Sequence, residues 1–203
     1  MFGGAFDPPH RAHRALAEAA LAQLGLDLLL ILPTGQAWHK SRSLTPAEHR
    51  VAMCELAFAG LPKVRIDPRE IRREGPTYSA DTLAELAAEF PGARLFLLMG
   101  ADQLLAFRTW KRWQEVLQCA TLAVAGRSIE TSSSQCKPAE WLAQDIGGID
   151  IPHILLELPP QPHSATSVRA RVAGSGPQAD LDALVSEGVA RYISEHHLYR
   201  HAT

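Results

Sequence analysis

Apolar residues recur along the chain with two different spacings, and each spacing predicts a different secondary structure. Between His10 and Gly25, alanine and leucine return every three or four residues, which predicts a helix that ends at the glycine. Short continuous apolar runs occur at 28–32, 95–99, 121–125 and 154–158, with a shorter one at 64–66. Runs of this length are typical of strands buried on both faces of a sheet.

Helical patterns alternate with these runs. Thr45 and Glu48 form a capping-box pattern with Pro46 at the first helical position, so we predict a helix from there to about Gly60. Ser79 is expected to cap a helix over 80–90, and further helices are predicted over 110–118, from 163 onwards and over 181–195. This alternation predicts an α/β fold with a Rossmann-like parallel sheet and helices on both faces. No repeat or linker divides the sequence, so we expect one domain over 1–203, with a C-terminal helical part from about 164.

Composition narrows the classes of protein to which the chain can belong. Its 203 residues carry a formal net charge of −2, so it lacks the general basic surface that non-specific nucleic-acid binding requires. Three scattered cysteines without metal spacing indicate a reducing compartment, so we expect a cytoplasmic protein. We find no signal-peptide pattern and no apolar stretch near the roughly 18 residues of a membrane span, and no pattern that specifies an oligomeric state.

The first thirteen residues carry the most distinctive chemistry. Gly3 and Gly4 stand where a strand would end, and His10 and His13 share one face of the helix that follows. Glycine lets the backbone approach a ligand closely, and a helix N-terminus suits an anion. These features together predict a phosphate site with two imidazoles. The residues alone leave two alternatives open, solvated histidines at a helix start or metal ligands together with Asp7.

Polar residues follow other predicted strands and helix starts in the same way. Because ligands of parallel α/β sheets bind at the carboxyl ends of the strands, we expect these residues to line one nucleotide-sized site. The segments concerned are Gly3-Gly4, His39-Lys40, Gly100 to Asp102, Arg127, and Ser164-Thr166-Arg169.

Residues 3–13, Gly-Gly-Ala-Phe-Asp-Pro-Pro-His-Arg-Ala-His, resemble the GGxFDPxHxxH signature of bacterial nicotinate-nucleotide adenylyltransferases, which belong to the HxGH nucleotidyltransferase superfamily. The resemblance continues through Tyr-Ser-Ala-Asp-Thr at 78–82 and Gly-Ala-Asp at 100–102. It then includes Trp110, Trp113, Arg127, the Ser-Ala-Thr of 164–166 with Arg169, and His-Leu-Tyr at 197–199. It covers essentially the whole chain in order, and the second and third segments narrow it from the superfamily to the nicotinate enzyme.

The resemblance implies a nucleotidyltransferase fold and transfer of AMP from ATP to nicotinic acid mononucleotide, which gives deamido-NAD and pyrophosphate. It implies that His10, His13, Lys40 and Arg169 act in catalysis. Magnesium would arrive with the triphosphate, without a protein metal site. The residues that the resemblance assigns to ATP are Gly3, Gly4, Ala5, Phe6, His10, His13, Gly100, Asp102, Arg127, Ser164, Thr166 and Arg169.

For the mononucleotide, the resemblance makes Trp110 the stacking partner of the pyridine ring, whereas Trp113 is expected in the core. Backbone N–H groups at two chain segments could bind the carboxylate, which favours the acid over the amide. The residues that the resemblance assigns to the mononucleotide are Lys40, Tyr78, Ser79, Thr82, Trp110 and Lys111.

The sequence departs from the family pattern at Ala5, Ala12 and His163. Only two residues precede Gly3, whereas the fold needs a first strand of about five residues. We therefore expect either a short strand or a start upstream, and a version extended upstream with native residues should be more stable. The alternatives are adenylylation of nicotinamide mononucleotide or another phosphorylated acceptor, a nucleotide sensor without catalysis, and a metal hydrolase.

Overall fold

The structure is a computed structural model that describes residues 1–35, 44–125, 150–159, 163–174 and 181–200. Its strands confirm the predicted parallel α/β sheet. In chain order, the six strands within the described residues are β1 Phe2–Gly4, β2 Leu29–Pro33, β3 Val64–Ile66, β4 Phe96–Gly100, β5 Thr121–Ala125 and β6 His153–Leu156. Among the described residues, no helix is both long and apolar enough to cross a membrane.

The chain divides into two compact units. The first unit comprises Phe2–Thr77 and His163–Thr203, and the second comprises Met1 and Tyr78–Pro162. The strand order is β3-β2-β1 in the first unit and β4-β5-β6 in the second, which are the two halves of a doubly wound order. The expectation of one domain over 1–203 stays a prediction.

In the first unit, β2 lies between the other two strands and all five of its residues are buried. Phe2 pairs with Ile31, and Leu29 pairs with Val64, both in parallel register. A strand buried on both faces needs a continuous apolar run, which is the pattern that predicted it. The helices of this unit are α1 Arg11–Leu24, α2 Ala47–Phe58, α3 Arg69–Arg72, α7 Ala165–Ala173 and α8 Glu187–Glu195.

Two predicted helix ends in this unit are right and two are wrong. Helix α1 ends at Gly25, whose φ of 59° is left-handed, as the sequence predicted. Helix α2 begins after Pro46 and no side chain caps it, so the predicted capping box of Thr45 and Glu48 is wrong. The backbone of Thr45 instead lies among buried polar side chains that are described below. Helix α7 begins at Ala165 with Ser164 as its N-cap, in agreement with the helix predicted from 163 onwards.

The predicted helix over 181–195 is also wrong at its start, because α8 begins only at Glu187. The reason is a contact with α1. The Arg11 guanidinium donates two hydrogen bonds to the Asp182 carbonyl, at 3.0 and 2.8 Å, and the Arg11 N–H donates to the Leu184 carbonyl at 2.9 Å. These carbonyls would otherwise accept bonds within a continuous helix.

The second unit pairs Phe96 with Thr121 and Leu122 with His153, again in parallel. Its core includes Leu83, Leu97, Leu104, Phe107, Leu122 and Val124, and both Trp110 and Trp113 are partly buried against this core. Its helices are α4 Ser79–Glu89, α5 Ala101–Leu105 and α6 Trp113–Cys119, with a 3₁₀ turn at Phe107–Thr109.

Two predicted helix starts in the second unit need correction. Ser79 is the first residue of α4, and Tyr78, instead of the predicted Ser79, holds the cap position. Helix α6 begins at Trp113 instead of residue 110, because Arg112 has a φ of 58° in the left-handed region, which ends any helical run before it.

Candidate active site

The end of β1 is shaped by a close approach of backbone and ring. A Cβ on Gly4 would lie 3.2 Å from the Phe6 ring, so glycine makes room for that ring. Phe6 is 1% exposed, and its ring meets Phe2 edge-on at 5.3 Å and Phe58 at 6.0 Å. The Phe6 side chain therefore belongs to the core, and a contact of this residue with ATP would use its backbone.

His10 and His13 lie together at the start of α1. The His10 N–H donates to His13 Nδ1 at 3.1 Å, and the two ring centroids are 3.8 Å apart. Because Nδ1 of His13 accepts this bond, a neutral His13 ring carries its proton on Nε2. The His13 ring is also held edge-on against Phe6, at 5.0 Å. The pair thus presents a fixed N–H donor beside a helix N-terminus, where an anion is stabilised.

A second helix N-terminus is joined to this one through Arg169. Arg169 Nη1 donates to the Asp7 carbonyl at 2.7 Å, three residues before the His10 cap, and its Nη2 donates to Thr166 Oγ1 at 3.1 Å. Ser164 and Ser167 cap α7 reciprocally, each backbone N–H donating to the other's hydroxyl at 3.1 Å. The structure therefore connects the starts of α1 and α7 through Arg169.

A buried polar cluster lies beneath this connection. The Asp7 carboxylate, only 1% exposed, accepts hydrogen bonds from the Tyr199 hydroxyl at 2.6 Å and from the Thr45 N–H at 3.3 Å. Arg50 is 2% exposed and donates to the carbonyls of Thr45 and Ala5, at 2.9 and 3.0 Å. We call Asp7, Thr45, Arg50 and Tyr199 the Asp7 cluster. Within this cluster, the Asp7 carboxylate is oriented by the Tyr199 hydroxyl and by the Thr45 N–H.

Burial and charge shift two pKa values in the Asp7 cluster. Burial lowers the pKa of Arg50, and the negative charge of Asp7 opposes that shift. Burial, followed by the charge of Asp7 and the hydrogen bond to it, raises the pKa of Tyr199 well above its ordinary value. Tyr199 therefore stays a neutral donor to Asp7.

Sequence reasoning missed the Asp7 cluster as a unit, although one signal was present. Arg50 falls at helical spacing with Met53, Cys54 and Ala57, which are all buried. A charged residue on the apolar face of a helix needs a buried partner, and this pattern could have identified it.

In the second unit, Gly100 ends β4 and caps α5. A Cβ at Gly100 would lie 2.7 Å from Asp102 Oδ1, so the carboxylate lies close above the glycine. Asp102 is exposed and its Oδ2 accepts from the Gln103 amide at 3.4 Å. Gly100 and Asp102 thus lie at the carboxyl end of their strand, where the sequence predicted them.

An ion pair joins the two segments that are predicted to bind the nicotinate ring and its carboxylate, Tyr78-Ser79 and Trp110-Lys111. Arg112 Nη1 pairs with Asp81 in the first turn of α4, and Arg112 Nε donates to Glu115 at 2.8 Å. This contact joins the helix start at Tyr78-Ser79 to the turn at Trp110-Lys111. The Trp110 ring lies 5.4 Å from Phe107 and is partly buried.

Three predicted residues need separate mention. Thr82 is fully buried, in contrast to the neighbouring Tyr78 and Ser79. Lys40 and Arg127 lie outside the described residues.

Comparison with known proteins gives the family. A family model described as cytidylyltransferase-like matches residues 1–171. The "Probable nicotinate-nucleotide adenylyltransferase" of Albidiferax ferrireducens is 49% identical over 202 residues, covering 100% of this chain and 98% of that protein. The protein of the same name in Methylibium petroleiphilum is 41% identical, covering 98% and 91%. A structure of the Plasmodium falciparum nicotinic acid mononucleotide adenylyltransferase, complexed with APC, has the same fold, with a TM-score of 0.74 at 15% identity over 98% of this chain and 94% of that one. The chain therefore belongs to the cytidylyltransferase-like family and, at this identity over its full length, to the nicotinate-nucleotide adenylyltransferases.

Proposed function

We propose that the chain transfers AMP from ATP to nicotinic acid mononucleotide and releases pyrophosphate, which yields deamido-NAD in NAD biosynthesis. Family membership supports this activity. The observation that carries the proposal is the hydrogen bond from Arg169 to the Asp7 carbonyl, because it connects the helix starts of His10 and Ser164. Two helix N-termini, two imidazoles and a guanidinium are thereby available to a polyphosphate.

The reaction needs little acid–base chemistry from the protein. The attacking group is already a phosphate anion, so catalysis consists of positioning the reactants and neutralising charge at the α-phosphate. His13 donates from Nε2 to the phosphate under attack, and His10 lies beside it. Ser164, Thr166 and Arg169 bind the β- and γ-phosphates, which leave as pyrophosphate. By the family resemblance, Lys40 and Arg127 also act on phosphates.

The pyridine ring of the mononucleotide and its carboxylate are recognised by residues of the second unit. Trp110 stacks on the pyridine ring, and backbone N–H groups near Tyr78-Ser79 and Trp110-Lys111 donate to the nicotinate carboxylate. The ion pair of Arg112 with Asp81 supports this assignment, because it holds both donor segments in place. An amide in place of the carboxylate would present its NH₂ to donors, so the acid is preferred. Asp102 accepts from ribose hydroxyls of ATP.

Magnesium enters with ATP. The donor set at the starts of α1 and α7 consists of imidazoles, hydroxyls and a guanidinium, which suit phosphate oxygens, whereas Mg²⁺ prefers oxygen ligands such as carboxylates and waters. In the part of the chain that the structure describes, no three His, Cys, Asp or Glu residues are grouped to hold a metal ion. When bound with ATP, Mg²⁺ would neutralise charge on the triphosphate, while Ser164, Thr166 and Arg169 would orient the phosphates. We place the reaction in the cytoplasm.

A pyrophosphate-release assay with Mg-ATP tests the proposal. We expect release that depends on nicotinic acid mononucleotide and matches it one to one, with much slower release when nicotinamide mononucleotide replaces it. A faster reaction with the amide would instead identify nicotinamide mononucleotide as the preferred substrate. ATP binding without release would indicate a sensor, and phosphate release with water alone would indicate a hydrolase.

A further inference from the structure

Tyr199 contacts Asp7, in the turn that precedes His10, although the two residues are far apart in the sequence. Its hydroxyl donates to Asp7 Oδ1 at 2.6 Å, although the two residues are 192 positions apart. Its backbone has a φ of 61°, and that of His197 is 53°, in the left-handed region that bulky side chains rarely adopt. Such conformations persist where the surrounding contacts hold them, and the bond to Asp7 is one such contact.

Asp7 connects this terminal residue to the phosphate-binding groups. Its carboxylate accepts from Tyr199, while its own carbonyl accepts from Arg169 at 2.7 Å. Three residues further on, the chain reaches His10, whose N–H donates to His13 Nδ1. The position of one residue, Asp7, thus fixes both the Arg169 guanidinium and the turn that leads into the two histidines.

The opposite side of Asp7 is equally constrained. Arg50 donates to the Ala5 and Thr45 carbonyls, and the Thr45 N–H donates back to the Asp7 carboxylate. Within the cluster, Asp7 and Arg50 are nearly inaccessible to water, at 1% and 2% exposed, whereas Thr45 and Tyr199 are partly buried. A lost donor at a buried carboxylate is not replaced by solvent, so the carboxylate must turn to its charged neighbours.

We propose that Tyr199 is a positioning residue for the phosphate site, acting through Asp7 on Arg169 and on the turn before His10. This inference rests on the proposed adenylyltransferase activity. When the Tyr199 hydroxyl is removed, the Asp7 carboxylate turns toward the guanidinium groups of Arg50 and Arg169. Arg169 is then drawn away from the phosphates, and the turn that carries His10 shifts. The nicotinate half is not affected, because its residues belong to the other unit.

The chain contains a matched control. Tyr192 also lies in the C-terminal part of the first unit and is also partly buried, and its hydroxyl makes a 2.9 Å hydrogen bond with His49 Nδ1. Its ring stacks on His196 at 4.1 Å. Replacement by phenylalanine removes one hydroxyl from each tyrosine. At Tyr192 it removes the bond with His49, whereas at Tyr199 it removes the hydrogen bonds with Asp7 and with the Thr45 side chain, so only Tyr199 acts on the Asp7 cluster.

The experiment compares Tyr199→Phe, Tyr192→Phe and the unchanged protein in steady-state pyrophosphate release, well below the unfolding midpoint of each. In Tyr199→Phe we expect kcat to fall about tenfold, with the KM for nicotinic acid mononucleotide unchanged within about twofold. In Tyr192→Phe both constants should match the unchanged protein. The second readout is the imidazole ¹⁵N NMR spectrum, in which the His10 and His13 signals should move in Tyr199→Phe and stay in Tyr192→Phe.

Equal kcat values in the two variants would overturn the inference, whether both are unchanged or both are reduced. A lower unfolding midpoint with unchanged kcat would also overturn it, because Tyr199 would then serve stability alone. If the unchanged protein released no pyrophosphate, the proposed function would fail separately. The NMR comparison would then decide the inference, and unmoved His10 and His13 signals would refute it.

Discussion

His13 has two roles in the structure, and two substitutions separate them. Its Nδ1 accepts the His10 N–H at the start of α1, and its Nε2 is the proposed donor to the α-phosphate. His13→Ala removes both. His13→Gln keeps an acceptor that can reach back to the cap N–H, as glutamine does at this third helical position, but it removes the imidazole.

The magnitudes follow from these contacts. Loss of one donor to a transition-state oxyanion lowers kcat by about 10²–10³, or about 3–4 kcal/mol. Loss of the cap acceptor costs about 1 kcal/mol, and loss of the ring contact with Phe6 costs about 1 kcal/mol more. In a chain of this size, about 2 kcal/mol lowers the unfolding midpoint by roughly 4–8 °C. We expect His13→Ala to show both effects, and His13→Gln to show the full loss of kcat with a smaller loss of stability.

The assay is pyrophosphate release at 25 °C, with thermal unfolding measured on the same samples. The KM for nicotinic acid mononucleotide should stay within about twofold, because the proposed contacts of that substrate lie elsewhere. His196→Ala, at an exposed histidine, is the control and should retain full turnover. Two results would refute the reasoning. One is an unchanged kcat in His13→Gln, and the other is a fall in kcat that follows the fall in unfolding midpoint across His13→Ala and His13→Gln.

Three further predictions concern the buried cluster and the nicotinate half. Arg50→Met should destabilise the fold by about 3–5 kcal/mol in urea unfolding, because it removes the positive charge near the buried Asp7 carboxylate and leaves the Thr45 and Ala5 carbonyls without their donor. Arg50→Lys keeps the charge and should cost less; equal costs for the two variants would argue against a role for the guanidinium hydrogen bonds. Arg112→Ala should raise the KM for the mononucleotide severalfold without changing the KM for ATP, whereas Arg191→Ala, which breaks another exposed ion pair, should change neither. The raised pKa of Tyr199 means that the unfolded chain loses this proton first, so stability falls as the pH rises above about 10. Tyr199→Phe should flatten that decline, and identical pH profiles would refute the assignment.

Strands were predictable because each needs only a local pattern. The run at 121–125 and the short run at 64–66 coincide with β5 and β3. Helix ends were less predictable where a distant residue takes the backbone groups. Arg11 occupies carbonyls near 182–184 and delays the start of α8, and no periodicity in that segment reports a contact with a residue about 170 positions away.

In the candidate site, too, local features were predictable and contacts between distant residues were not. The spacing of His10 and His13 placed both at one helix start, since three residues of a helix bring side chains together whatever lies around them. The bond between Asp7 and Tyr199 could not be predicted, because it depends on how the chain closes across its length. Thr45 is a residue for which such distant contacts made a local prediction wrong. Its sequence position predicted a helix cap, but its N–H donates to the Asp7 carboxylate and its carbonyl accepts from Arg50.

The division of the chain into units also sets an order of assembly during synthesis. The second unit is continuous from Tyr78 to Pro162 apart from Met1, whereas the first unit needs residues from both Phe2–Thr77 and His163–Thr203. Closing the loop between Asp7 and Tyr199 costs roughly 5 kcal/mol of chain entropy and is impossible until Tyr199 has left the ribosome. The second unit, which holds Tyr78, Ser79 and Trp110, can therefore fold while the chain is still growing. The first unit, which holds His10, His13 and Arg169, is completed last, so a nascent or truncated chain should not bind ATP.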